Sequence, residues 1–200
     1  MTTEAARTPH RERLLRAGSR LFYDRGFHGT SVDAVLVDAG SPKGSFYHHF
    51  GSKDAFGHAV LDVYADSRLR LLTQWVDRTD LGVIERVTGY HRDLIERFDR
   101  TGWQRACLAG KLSNEVAGSS ETFRRHLAET FDGTRGVLAG LLAEGQARDE
   151  VTSIQSATAL ADSMQAMIQG GFVVALALRD RSSLEDVTIA LGHLLQAGNR

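Results

Sequence analysis

This chain is poor in the residues that crosslink or interrupt a fold. Its 200 residues include one cysteine and two prolines. A single cysteine excludes an intrachain disulfide and suits a reducing compartment. So few prolines, with few β-branched runs, favour helices. Charge of one sign is not in excess either: 24 Lys and Arg stand against 25 Asp and Glu, a net charge of −1. The N-terminal stretch lacks the apolar core of a signal peptide. No uncharged run reaches membrane length, because the longest apolar region, 157–178, is interrupted by Asp162, Gln165 and Gln169. A cytoplasmic location is the expectation. Nothing has the pattern of a phosphate loop, a metal cluster or a nucleophile elbow, so neither metal nor cofactor is expected. There is no internal repeat and no low-complexity segment.

What is present is concentrated in one segment, 30–56, which reads TSVDAVLVDAGSPKGSFYHHFGSKDAF. Ser31 can cap a helix start, since its hydroxyl accepts from an otherwise unpaired backbone N–H. Val32, Val35 and Leu36 then recur at helical spacing. Gly40 suits the position just past the helix, where φ is usually positive. Ser41 can cap a second helix over about 42–50, with Pro42 in its first position. Two short helices around a glycine turn make a helix-turn-helix, whose second helix enters the major groove. That helix carries Lys43, Gly44, Ser45, Tyr47, His48 and His49, and Lys53 follows. Thr30 and Ser31 lie at the entrance. Lysine, hydroxyl and imidazole groups bind phosphates and base edges. Phe46 and Phe50, four apart, face the core. Residues 1–57 carry a net +2 and the remainder −3. Binding therefore relies on placed contacts and on pairing rather than on a strong positive field.

The segment resembles the DNA-binding domain of TetR-type transcriptional repressors. The run Gly26-Phe27-His28-Gly29-Thr30-Ser31 matches the turn after their first helix, and 40–56 matches their glycine, lysine, aromatic and serine-lysine pattern. The resemblance implies an all-α homodimer. It would have a three-helix DNA-binding domain at 1–52, a ligand-sensing and dimerisation domain at 53–200, and about nine helices. It also implies release from a palindromic operator by a small ligand, and no enzymatic activity.

Periodicity places the other helices at about 9–25, 53–78, 82–100, 105–116, 120–148, 153–178 and 183–197. The fourth helix, 53–78, spans both domains and is the natural lever. The eighth, 153–178, is apolar nearly all round, which marks a helix buried on more than one side. Gly170 and Gly171 in its middle suit a close crossing. In the resembling family the last two helices pair two subunits.

Cys107 is the second informative position. Arg105 and Lys111 flank it within a turn of the expected sixth helix, and cations and a helix N-terminus favour thiolate. The plain alternative is a small buried hydrophobe. The stretch CLAGKLSNEVAGSSETFR resembles the NemR-like and AcuR-like TetR subgroup, whose regulators answer to electrophiles or small unsaturated acids. Carried over by position, Cys107 is the sensing thiol. Where NemR-like proteins have a lysine in the eighth helix this chain has none, so Lys111 is left as a local charge or nitrogen partner. Apolar walls for a pocket are Trp75, Tyr90, Trp103, Met164, Met167, Ile168 and Phe172, with His91, Asn114 and Gln165 as polar contacts. Asp62, Asp66 and Glu115 read as solvated or salt-bridged. Three other readings stand beside this one. They are a reversible ligand-responsive repressor without thiol chemistry, a cysteine-dependent enzyme with His91 or His126 as base, and a related module that has lost DNA binding.

Overall fold

The computed structural model describes residues 10–196, which form nine α-helices and no strand among the described residues. They are α1 (His10–Arg25), α2 (Val32–Ala39), α3 (Lys43–Phe50), α4 (Lys53–Val76), α5 (Val83–Asp99), α6 (Leu108–Val116), α7 (Glu121–Ala147), α8 (Ala157–Leu178) and α9 (Ser182–Leu195). The all-α expectation holds. The expected ends at residues 9 and 197 lie outside the described residues.

By packing the chain divides into two compact units that are not contiguous in sequence. One comprises the described residues up to Ala65 with Leu108–Leu127; the other comprises Asp66–Cys107 with the residues from Ala128 onward. Helices α4 and α7 contribute to both.

The first unit is built on aromatic rings. Phe22 meets Phe27 edge-on at 5.5 Å and Phe56 at 5.9 Å, while Phe46 and Phe50 lie 5.0 and 4.9 Å from Phe56. Phe27 continues to Phe123 of α7 at 4.9 Å. These contacts hold α1, α3, α4 and α7 together, and edge-to-face packing adds to the area they bury. Ser31 caps α2 as its sequence predicts, accepting from Ala34 N. Gly40 ends α2 at φ +55°, left-handed, and satisfies two carbonyls of the last turn.

The second unit packs α5, α8 and α9 around Tyr90, Leu94, Phe98, Met164, Ile168, Phe172 and Leu191. Arg86, only 1% exposed, ties three pieces of this unit. It donates to the carbonyl of Val76, where α4 ends, to that of Leu81, and to Glu144 of α7. A guanidinium buried this deeply is stable because each of its three nitrogens donates to an acceptor.

Three expectations need correction. Helix α6 begins at Leu108, not 105, because the backbone turns left-handed at Gly102 and Trp103, φ +62° and +59°. Thr101 Oγ1 then accepts from the amides of Gln104 and Arg105. Helix α8 starts at Ala157 behind Ser156, whose hydroxyl accepts from Ala159 N. Nor is α8 buried all round: Val173, Val174, Leu176 and Leu178 are exposed, while Gly171 lies against Leu184 and Val187 of α9 and Gly170 faces open space. By length and composition α8 is apolar enough to cross a membrane, yet its other face is set in the core of this unit.

Candidate nucleic-acid interface and sensing region

The outward face of α3 presents Lys43, Gly44, Tyr47, His48 and His49, all exposed, with Ser45 half-buried. Phe46 on the opposite side is fully buried and anchors the helix. The positively charged side of this face is lightly engaged: Lys43 Nζ is 4.0 Å from Asp33, both largely solvent-exposed. The predicted surface is therefore assembled on one helix.

Four other predicted positions behave differently. Thr30 is completely buried, and its hydroxyl donates to the Gly26 carbonyl at 2.7 Å. It closes the turn after α1 and offers nothing to a partner. Ser41 does not cap α3; its hydroxyl lies 3.2 Å from His10 Nδ1, and Pro42 occupies the cap position without a side-chain bond. Ser31 is exposed, but its oxygen is engaged as the α2 cap. Lys53 is half-buried, its ammonium 4.5 Å from the centre of the Phe27 ring. Burial lowers its pKa, opposed by the nearby Glu115 and Asp54 carboxylates.

Helix α6 holds the turn that leads into the helix-turn-helix. Lys111 Nζ donates to the Tyr23 carbonyl at 2.6 Å. One helical turn further, Glu115 accepts from Phe27 N at 2.8 Å and from His28 N at 2.6 Å. Lys111 therefore reaches the end of α1, rather than serving only as a charge for the thiol. Glu115, expected to be solvated or salt-bridged, instead fixes two backbone amides. The only sequence signal is the four-residue spacing, which puts both on one face. Asn114 is exposed and donates to the Gly110 carbonyl of its own helix.

In the same unit, His58 Nδ1 and His126 Nδ1 are 2.8 Å apart, and His126 Nε2 is 2.9 Å from Asp62. His58 stacks on Phe123 at 4.1 Å. Its pKa is lowered by burial and by His126, against Asp62 and Asp54. Sequence spacing gave no hint of a pair 68 residues apart.

In the second unit, Cys107 is half-buried in the loop just before α6, not within that helix as expected. Trp103 Nε1 donates to Asp99 at 2.5 Å, and Arg181 pairs with the other Asp99 oxygen at 3.0 Å. Trp75 Nε1 donates to Asp93 at 2.8 Å. Tyr90, Met164 and Phe172 are buried in the core cluster, with Trp75, Trp103 and Met167 packed against it. His91 is fully buried, its Nδ1 2.8 Å from Thr188 Oγ1. Burial, with help from Arg68 and Arg92, pushes its pKa down to about 4, so it is neutral at physiological pH. Two buried side-chain atoms, His91 Nε2 and Gln165 Oε1, have no hydrogen-bond partner in the protein. A separate groove of about 340 Å³ lies between α5 and α9, lined by Arg92, Ile95, Glu96, Asp99, Arg181, Glu185, Thr188 and Ile189. None of the predicted wall residues lines it. Among the described residues no cluster of His, Cys, Asp or Glu could hold a metal ion.

Comparison with known proteins bears on both regions. Residues 14–60 match a family described as bacterial regulatory proteins, tetR family, and residues 83–189 match the LmrA/YxaF-like transcriptional regulator C-terminal domain. The chain is 31% identical to the HTH-type transcriptional repressor DhaR of Mycobacterium sp. (strain GP1), covering 95% of this chain and 94% of that one. It is 34% identical to the transcriptional regulator AcuR of Cereibacter sphaeroides, covering 74% and 68%. The crystal structure of E. coli NemR in its reduced form superposes with a TM-score of 0.88 at 29% identity, covering 96% of this chain and 99% of that one.

Proposed function

The chain belongs to the TetR family of bacterial transcriptional regulators, and from that premise we propose that it is a cytoplasmic homodimeric repressor released from a palindromic operator by chemistry at Cys107. Residues 1–52 read DNA, and 53–200 sense and pair. Lys43 reaches a base edge or phosphate, Gly44 admits the backbone, and Ser45, Tyr47, His48 and His49 contact the sugar-phosphate chain. With a net charge of only +2 over residues 1–57, one head binds weakly, and two heads on two half-sites supply the affinity. The exposed apolar face of α8, with Ile189 of α9, supports pairing through these two helices.

The observation that carries the sensing half is the α6 clasp. Cys107 directly precedes α6, and Lys111 and Glu115 of that helix hold Tyr23, Phe27 and His28. An electron-poor alkene adds to the Cys107 thiolate: the sulfur–carbon bond forms, the π electrons move to the adjacent carbon, and water supplies the proton there. The bulk of the adduct displaces the start of α6, and the clasp passes that displacement to the turn leading into α2. DNA selects one arrangement and the modified protein the other, so the two compete. The relatives DhaR and NemR, named as repressors, and the solution of NemR in a reduced form favour this reading.

The test is fluorescence anisotropy on the DNA beside the protein's own gene, with and without N-ethylmaleimide. The wild-type protein should release DNA and Cys107→Ser should hold it. Equal release by both would assign induction to reversible ligand binding alone, the second reading.

A further inference from the structure

We propose that a histidine pair between α4 and α7 makes the DNA-binding head acid-sensitive: the pair takes one added proton in place and opens on the second, loosening the aromatic packing behind the helix-turn-helix. This rests on the first unit being the head that binds DNA, and it needs nothing of Cys107. His58 Nδ1 and His126 Nδ1 face each other at 2.8 Å, and His126 Nε2 lies 2.9 Å from Asp62. An ionised carboxylate only accepts, so His126 carries a proton on Nε2. In the neutral pair His126 Nδ1 is then bare, and His58 donates to it from Nδ1. An added proton goes to His58 Nε2, with a single proton still held between the facing Nδ1 atoms. The next one puts an N–H on both. Across 2.8 Å their hydrogens would come within about 1 Å of each other, between two cations, so the rings must part.

The pair is tied to the head through rings. His58 stacks on Phe123 at 4.1 Å, Phe123 meets Phe27 at 4.9 Å, and Phe27 meets Phe22 of α1 at 5.5 Å. There is no slack where α4 passes: a methyl group at Gly57 would come within 2.7 Å of Phe27 and 2.8 Å of Phe123. Parting of the histidines therefore shifts Phe123 against Phe27, whose amide Glu115 holds. Burial is the largest influence on His58 and disfavours its charge, as does His126 of α7; Asp62 and Asp54 of its own helix favour it. On α7, Arg124 and Arg125 are taken up by Glu121, and Glu129, a turn beyond His126, is exposed. Past the two phenyl rings come Lys53, over Phe27, and Glu115 of α6. Burial and His126 outweigh the two aspartates, so the closed pair resists the second proton and acid favours the open form.

Imidazole 15N spectra of the full-length protein, free of DNA, test the pair from about pH 8 to about 5, the range in which histidine titrates. Anisotropy on the DNA beside the protein's own gene tests the consequence over the same range. His58 and His126 should titrate in two separate steps, and the Phe27 amide should exchange faster only below the second. Below that step DNA affinity should fall by up to about tenfold per pH unit, the slope for one proton taken up on release. His126→Gln and His58→Gln leave one imidazole each and cannot reach the repelling state. Both should bind more tightly in acid, because the exposed His10, His28, His48 and His49 gain charge there. If neither variant folds, the wild-type spectra and the Phe27 exchange decide. A single shared step with unmoved Phe27 exchange, or wild-type binding that tightens in acid as the variants do, would overturn the proposal. Absence of DNA binding at every pH would count against the DNA reading instead, with the DNA-free spectra still deciding this one.

Discussion

Replacing Glu115 with Ala tests whether α6 holds the DNA-reading head. The carboxylate accepts from two amides. Phe27 is 5% exposed, so its amide loses a charge-assisted bond with little water to replace it. That costs about 2 kcal/mol. His28 is exposed, so water recovers most of its bond and the loss is about 0.5 kcal/mol. The sum, about 2.5 kcal/mol, lowers the melting temperature by roughly 5–10 °C in a chain of this size. Glu115→Gln keeps a neutral acceptor for one amide and should lose about half as much. Far-ultraviolet circular dichroism reads the melt, and hydrogen exchange reads the amides of Phe27 and His28 individually. Faster exchange at those two positions with weaker operator binding is the expected pair of results. A melting temperature within about 1 °C of wild type, with unchanged exchange at both amides, would refute the clasp.

Two further outcomes follow from the second unit. His91 has a pKa of about 4 when folded against 6.5 ordinarily, so the unfolded chain binds more protons between those values. Its contribution is fully present above pH 6.5 and lost as pH falls toward 4; about 2 kcal/mol disappears between pH 7 and pH 5. Urea denaturation should show that loss, the lowered His58 acting in the same direction, and His91→Gln should flatten the slope. In Gly89→Ala the new methyl group would overlap the Trp75 ring, which the bond to Asp93 holds in place. Ala gains up to about 1 kcal/mol of helix propensity, but overpacking costs about 1–3, so a net loss is expected with a shifted Trp75 emission. A stabilised variant would show that the ring moves freely.

The exposed face of α3 was legible because it depends on spacing within eight residues, and a helix sorts its own residues into buried and exposed sides. Thr30 misled for the opposite reason. Its type suits phosphate, but the turn from Gly26 draws it inside. Cys107 stood out as the single cysteine, yet its place before α6 depended on left-handed backbone at Gly102 and Trp103.

The sequence by itself determined what is local: about nine helical segments, the Ser31 cap, the left-handed Gly40, and a short exposed helix of the TetR type. Only the tertiary structure decided which side chains are bound to what. Glu115 meets Phe27 across 88 residues, His91 meets Thr188 across 97, and Arg86 meets Glu144 across 58. Hydrogen bonds at such separations leave no periodic trace, because packing brings the partners together and the chain between them carries no record of the distance.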